Sequence, residues 1–260
     1  MKLLLANGNT TGAVTEAVRL AAIHSARPGT EITAVTAGFG VPIVSTELEN
    51  TIAAHAVLDL LATHHAGHDA AILAISFDTA LTAARQLLPI PVIGMTEASL
   101  HTACLLGRRF GVITFGSASL PMYLDLIDGL GLSSRLAGYE SVDVTSVDAY
   151  LEAAAFDQIV RDAAIRLAVT ADVVVVCGAA VSGIAARLQP TVAFPLLDGI
   201  GCAVRQAELL VDLATVKKPL GRPIAAGARA AGLSDALATL LQQATGAPDL
   251  PGRRRGGLVK

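Results

Sequence analysis

The sequence predicts an α/β protein of two similar lobes, each with a parallel sheet, facing one another across a pseudo-twofold axis with a cleft between them. Three observations carry this. Short β-branched and aliphatic runs alternate with Ala/Leu-rich stretches of helical period, the pattern of βαβ units feeding a parallel sheet. The same order of runs then repeats in the second half of the chain. Finally, "AAILAISFDTAL" from Ala70 to Leu81 is answered a hundred residues later by "DVVVVCGAAVSG", and self-similarity at a fixed spacing with matching breakers is the mark of a duplicated unit.

Taken in order, Lys2 to Ala6 forms the first strand and is too short for a signal-peptide core or a membrane span. Glu31 to Thr36, Ala71 to Ile75 and Pro91 to Met95 supply the other strands of the first lobe. Phe110 to Thr114, Ser141 to Val144, Val173 to Val176 and Phe194 to Leu197 supply those of the second. Aligned by eye, Ser76 falls opposite Cys177, "AAR" at Ala83 to Arg85 opposite "AAR" at Ala185 to Arg187, and "PVIG" opposite "PLLD". The expected division is a lobe over 1–107, a lobe over 108–215 and a helical segment over 216–245 that can pack back on the first lobe. Residues 246–260, with the basic run Arg253 to Arg255, read as a flexible, solvated tail.

Composition narrows the function. The chain has 260 residues, 53% apolar and 16% charged, enough to bury a substantial core. Aromatics are 3% with no Trp, so stacking platforms for bases are not expected. A formal charge of -3 gives no general pull toward nucleic acid or anionic membrane. Three cysteines without CxxC spacing argue against structural zinc and a secreted disulfide framework. No Walker sequence, no GxGxxG after a first strand and no HExxH occurs, so neither a nucleotide nor a metal cofactor is expected. A cytoplasmic enzyme or binder of small molecules, and a homo-oligomer given its Ala- and Leu-rich helices, is the expectation.

In parallel α/β sheets, ligands sit beyond the carboxyl ends of the strands. Ser76 and Cys177 lie at two such ends, and a duplicated architecture brings both toward one cleft. A thiol there, ahead of a helix, is expected to have a lowered pKa; an apolar-run cysteine can equally be plain core filling. Asn7, Asn9 and Thr10 follow the first strand, where short amides and hydroxyls cap a helix or hold a carbonyl or carboxylate oxygen. Thr114, Ser117 and Ser119 occupy the matching place in the second lobe. Phe39, Val41, Phe77, Met95 and Phe115 are candidate pocket walls, though core packing explains each equally well.

Several segments together resemble the Asp/Glu/hydantoin racemase superfamily, closest to its hydantoin and allantoin racemases: "NGNTT", "GVPIVS", "PIPVIGMTEASLHTACLLGRRFGVIT" and "PLLDGIGCAV". The resemblance covers about residues 1 to 215. It implies two Rossmann-like lobes and a cofactor-independent enzyme whose paired cysteines move a proton on opposite faces of a carbon next to a carbonyl. On that resemblance Cys177 and Ser76 are the catalytic pair, Ser76 standing where the racemases have the first cysteine. Asn7, Asn9, Thr10, Phe77, Asp78, Thr79, Thr114, Gly178 and Ala179 are then substrate-binding residues, and the substrate is a hydantoin, imide or small carboxylate. "NGNT" departs from the usual "NPNT", so Gly8 replaces a proline. A serine hydroxyl is a far weaker base than a thiolate. Three readings stay open: a hydantoin-type racemase, a one-cysteine decarboxylase or lyase resembling arylmalonate decarboxylase, and a non-catalytic binder.

Overall fold

A computed structural model describes residues 1–143, 153–213 and 231–245. Strands β1 (Lys2–Asn7), β2 (Glu31–Thr36), β3 (Ala70–Leu73) and β4 (Val92–Gly94) form one parallel sheet in the order β2-β1-β3-β4. Strands β5 (Phe110–Phe115), β6 (Leu136–Val142), β7 (Val173–Val176) and β8 (Leu196–Asp198) form a second in the order β6-β5-β7-β8. The duplication read from the sequence is thus a duplication of topology. Ala70–Leu73 and Val173–Val176 are buried along their whole length, as unbroken apolar runs are when helices cover both faces of a parallel sheet.

One strand differs from expectation. β6 begins at Leu136, five residues before the expected Ser141, and residues 144–152 lie outside the described residues. It carries Gly138, Glu140 and Ser141 in its middle, so it lacks the aliphatic or β-branched run by which the others announce themselves.

The helices are α1 (Gly12–Ser25), α2 (Glu47–His64), α3 (Leu81–Leu87), α4 (Met95–Leu106), α5 (Leu120–Gly129), α6 (Ala153–Leu167), α7 (Ile184–Leu188), α8 (Gly199–Asp212) and α9 (Asp235–Thr245). Thr46 and Glu49 form a reciprocal capping box that starts α2. The first sheet is covered by α1 and α8 on one face and by α2 and α3 on the other. The second is covered by α6 and α7 on one face and by α4 and α5 on the other. Two of these helices are exchanged between the lobes. α4 follows β4 yet sends Leu100 and Ala103 into the core of the second sheet, while α8 follows β8 and packs Ile200, Ala203, Val204 and Ala207 on the first. Glu208 on α8, 2% exposed, accepts from the Arg27 N–H and the Thr30 hydroxyl, both at 2.8 Å, and pairs with the Arg27 guanidinium at 3.2 Å. That anchor ties the helix to the turn between α1 and β2.

Candidate active site

The loops at the carboxyl ends of β1, β2, β3, β5 and β7 enclose one cavity of about 70 Å³ between the sheets. It contains Asn9, Ser45, Ser76, Phe77, Ser119, Tyr123 and the segment Gly178 to Val181. The two lobes touch here directly: the Ala179 N–H donates to Ser76 Oγ at 3.0 Å. With its oxygen engaged as acceptor, the Ser76 hydroxyl has its hydrogen left to give to a ligand. Among the described residues, no charged side chain and no cysteine lines this cavity.

The backbone fixes which positions of the two lobes correspond. The Asp69 N–H bonds Lys2 O at 2.8 Å, and the Asp172 N–H bonds Arg109 O at 2.9 Å. Ala74 to Ala6 is matched by Cys177 to Ile113, both at 2.9 Å. Beyond the strands, Asp78 to Ile75 is matched by Val181 to Gly178, and Ala84 to Ala80 by Arg187 to Gly183. Ala80 and Gly183, each preceding a helix, share the left-handed conformation at φ 62 and 88°. Each pair of donors is 103 residues apart with no insertion between them, and the acceptors on β1 and β5 are 107 apart. Cys177 therefore corresponds to Ala74, and Ser76 corresponds to Ala179.

This corrects the alignment of Ser76 with Cys177, and with it the expected setting of the thiol. Strand side chains alternate between faces, so Cys177 continues the face of Val173 and Val175 into the core beside Phe110, Leu100 and Met122. It is 3% exposed. Burial, reinforced by the negative charge of Asp78, pushes the thiol up to about 12 rather than down. No helix start offsets this, because a short 3-10 turn over Ala179–Val181 follows it.

The other expected residues divide into those facing the cavity and those supporting it. Asn9, Ser76, Phe77, Gly178 and Ala179 face it. Asn7 is fully buried and donates to Asn9 Oδ1 at 3.1 Å and Thr15 Oγ1 at 2.9 Å, holding the loop that presents Asn9. Thr10 is exposed and bonds Val41 O through its N–H. Thr79 donates to Asn50 Oδ1 at 2.5 Å, away from the cavity. Thr114 is fully buried, and its hydroxyl has no partner among the described residues, nor has that of its register neighbour Ser141. In the first lobe the same two register positions, Asn7 and Thr36, are bridged by Thr15 of α1, with Thr15 and Thr36 hydroxyls 2.6 Å apart.

Asp78 faces α4 instead of a ligand. Its two carboxylate oxygens accept the Thr96 N–H at 3.0 Å and the Glu97 N–H at 2.6 Å. Burial outweighs these bonds and raises the carboxyl to about 7. Asp198 does the equivalent work in the second lobe from a different strand end: Oδ1 accepts Gly201 N–H of α8, and Oδ2 accepts the N–H groups of Gly183 and Ala185. Of the candidate walls, Phe77 and Phe115 line the cavity, whereas Met95 is core and Phe39 is exposed against His55. Ile43, Val44, Ser45 and Tyr123 are wall residues that residue-by-residue reading missed. For Ser45 the signal was the segment "GVPIVS"; for Tyr123 it was a hydroxyl on the buried face of α5.

A family profile described as Asp/Glu/Hydantoin racemase matches residues 3–207. The chain belongs to this family. Among curated relatives, a hydantoin racemase of Pseudomonas sp. (strain NS671) is 28% identical over 216 residues, covering 82% of this chain and 87% of that one. Among solved structures, the allantoin racemase from Klebsiella pneumoniae is 29% identical with a TM-score of 0.81, over 88% of this chain and 97% of its own. The allantoin racemase from Pseudomonas fluorescens gives 30% and 0.79, over 88% of this chain and 100% of its own. This member of the Asp/Glu/hydantoin racemase family is an enzyme of the racemase class, of the hydantoin-racemase type, acting on a small molecule. Among the described residues, no helix is long and apolar enough to cross a membrane.

Proposed function

We propose that this enzyme racemises a 5-substituted hydantoin or a closely related neutral ring ureide in the cavity between the lobes, without a resident cofactor. The observation that carries the choice of substrate is the uncharged wall: hydroxyls, one carboxamide, backbone and apolar groups, with no cation for a free carboxylate. A ring imide presents carbonyl oxygens and N–H groups that Asn9 and Ser45 can meet by hydrogen bonding. An amino-acid zwitterion would need charged partners in so enclosed a place. Ser76, reaching across to the second lobe at Ala179, faces the carbon that loses its proton and donates a hydrogen bond as charge builds on the adjacent carbonyl.

The test is a single optically pure 5-substituted hydantoin incubated with the enzyme in D2O at neutral pH, against a buffer control. Loss of rotation with deuterium entering at the ring carbon, faster than in buffer, is expected. Free aspartate and glutamate should be inert. Turnover of a free amino acid but not of the hydantoin would reverse the assignment. The same reading places the enzyme in the cytoplasm as a homo-oligomer. Exposed Leu20 and Ile23 on α1 and Leu209 and Leu213 on α8 support a further contact, and a monomer in sedimentation would remove that part.

A further inference from the structure

We propose that a second cavity, walled by α1, α4, α7 and α8, binds a small carboxylate with an apolar tail and couples its occupancy to the site between the lobes. The binding half stands apart from the proposed reaction, and the coupling half rests on it. This cavity, of about 530 Å³, is of the ordinary size for small-molecule sites. It shares no lining residue with the cavity that holds Ser76. Its walls divide by chemistry. Leu196, Leu197, Ala185 and Ala186 give it an apolar side. The Gln189 amide beside them is spent, donating to Phe194 O and accepting the Leu196 N–H, both at 2.9 Å. The crossing of α1 and α8 gives it a polar side, with Ser25 and His24 from α1 and Arg205 from α8. Ser25 Oγ lies 3.3 Å from where a Cβ on Gly201 would stand, and Arg205 comes one turn further along the same face of α8.

Arg205 selects the charge of the head group. Its guanidinium stands 3.5 Å from Glu208 Oε2, an oxygen that Arg27 already claims at 3.2 Å, so its fork of donors is open to a second carboxylate. The one acidic group in the wall, Asp198, has both oxygens occupied: Oδ1 by the Gly201 N–H at 3.0 Å, and Oδ2 by those of Gly183 at 3.0 Å and Ala185 at 3.3 Å. A carboxylate at Arg205 with its chain on the leucines and alanines satisfies both sides, whereas an amine of the same length would meet a like charge. The route to the other cavity is short. Ala185 lines this one, and the Asp198 oxygen that holds its N–H also holds Gly183, which ends the loop whose residues Gly178 to Val181 line the site between the lobes. A ligand against Ala185 and Asp198 therefore biases the position of that loop.

The experiment titrates hexanoate into the full chain, with acetate and hexylamine as controls, and follows backbone amide shifts by NMR. Hexanoate alone should bind, with shifts clustered at Ala185, Cys202 and Arg205. Arg205→Gln should weaken it about tenfold, the loss of a charge-assisted contact. Ala186→Trp, a change at an exposed position that fills the cavity, should abolish it. Neither residue lines the site between the lobes, so without hexanoate both variants should racemise the hydantoin within about twofold of the wild type. Saturating hexanoate should change the KM of the wild type about fivefold and leave Ala186→Trp unmoved. Equal binding of hexylamine, binding that survives both variants, or shifts clustered at Asn9 and Ser76 would overturn the carboxylate site. Binding with KM and kcat both unchanged would overturn the coupling. If a second copy of the chain covers this face instead, Ala186→Trp will dissociate the assembly in sedimentation and hexanoate will leave the wild type unshifted, and the proposal fails. An enzyme inert on the hydantoin would count against the proposed function, and the shifts would still decide the binding half.

Discussion

Ser76 is the residue on which both the contact between lobes and the proposed chemistry converge. Ser76→Ala removes the acceptor of the Ala179 N–H, which costs about 1 kcal/mol of stability, and removes the only hydroxyl at the tip of β3. The expected result is a loss of kcat of about tenfold or more with little change in KM; an unaltered kcat would show that the hydroxyl takes no part. Asp78 gives a pH prediction with a definite sign. Its folded-state pKa of about 7 lies above the ordinary carboxylate value, so the folded state holds that proton more tightly than the unfolded one. Its contribution is complete below about pH 4 and is lost as pH rises through about 7. Urea midpoints of the wild type minus those of Asp78→Asn should therefore fall over that window and level off above it; a difference that rises with pH would contradict the burial argument.

At the scale of elements, the two lobes solve one problem in two ways. The helix after the fourth strand of each lobe needs an acceptor at its amino end. In the first lobe Asp78 supplies it from the loop after β3, and in the second Asp198 supplies it from the end of β8. The position matching Asp198 is Gly94, where a Cβ would lie 2.4 Å from Asp78 Cγ, so the carboxylate can come from only one side. Gly94→Ala should cost on the order of 2 kcal/mol or more, while Gly12→Ala, with open space around it, should be neutral or gain up to about 1 kcal/mol. Equal effects in thermal melts would rule out the steric account. Gly8 is crowded too: a Cβ would meet Val57 Cγ2 at 2.6 Å. The positions of seven of the eight strands were legible because aliphatic and β-branched runs stand out in a sequence. β6 was not, because Leu136–Val142 has no β-branched residue before Val142 and is interrupted by Gly138, Glu140 and Ser141.

For the whole molecule, the exchange of α4 and α8 makes the lobes interdependent, since each sheet is roofed by a helix that follows the other. Glu208 is the buried charge in that arrangement, held by Arg27, Thr30 and the backbone. Glu208→Ala should destabilise the protein by about 3 kcal/mol, with both lobes unfolding in one transition in guanidinium. Two separate transitions would mean that the lobes are independent. The cavity lies where these lobes meet, and its five contributing loops come from strands spread over most of the chain. Their convergence depends on that interlocked packing.

The residues alone determined a duplicated α/β architecture, a parallel sheet in each half and loops at strand ends as the place for chemistry, because hydrophobic periodicity and chain duplication are local properties. They also carried the family resemblance. Which side chain stands at the second wall was decided only in three dimensions. Strand alternation carries Cys177 into the core, and the 3-10 turn that follows β7 brings Ala179 round to the cavity.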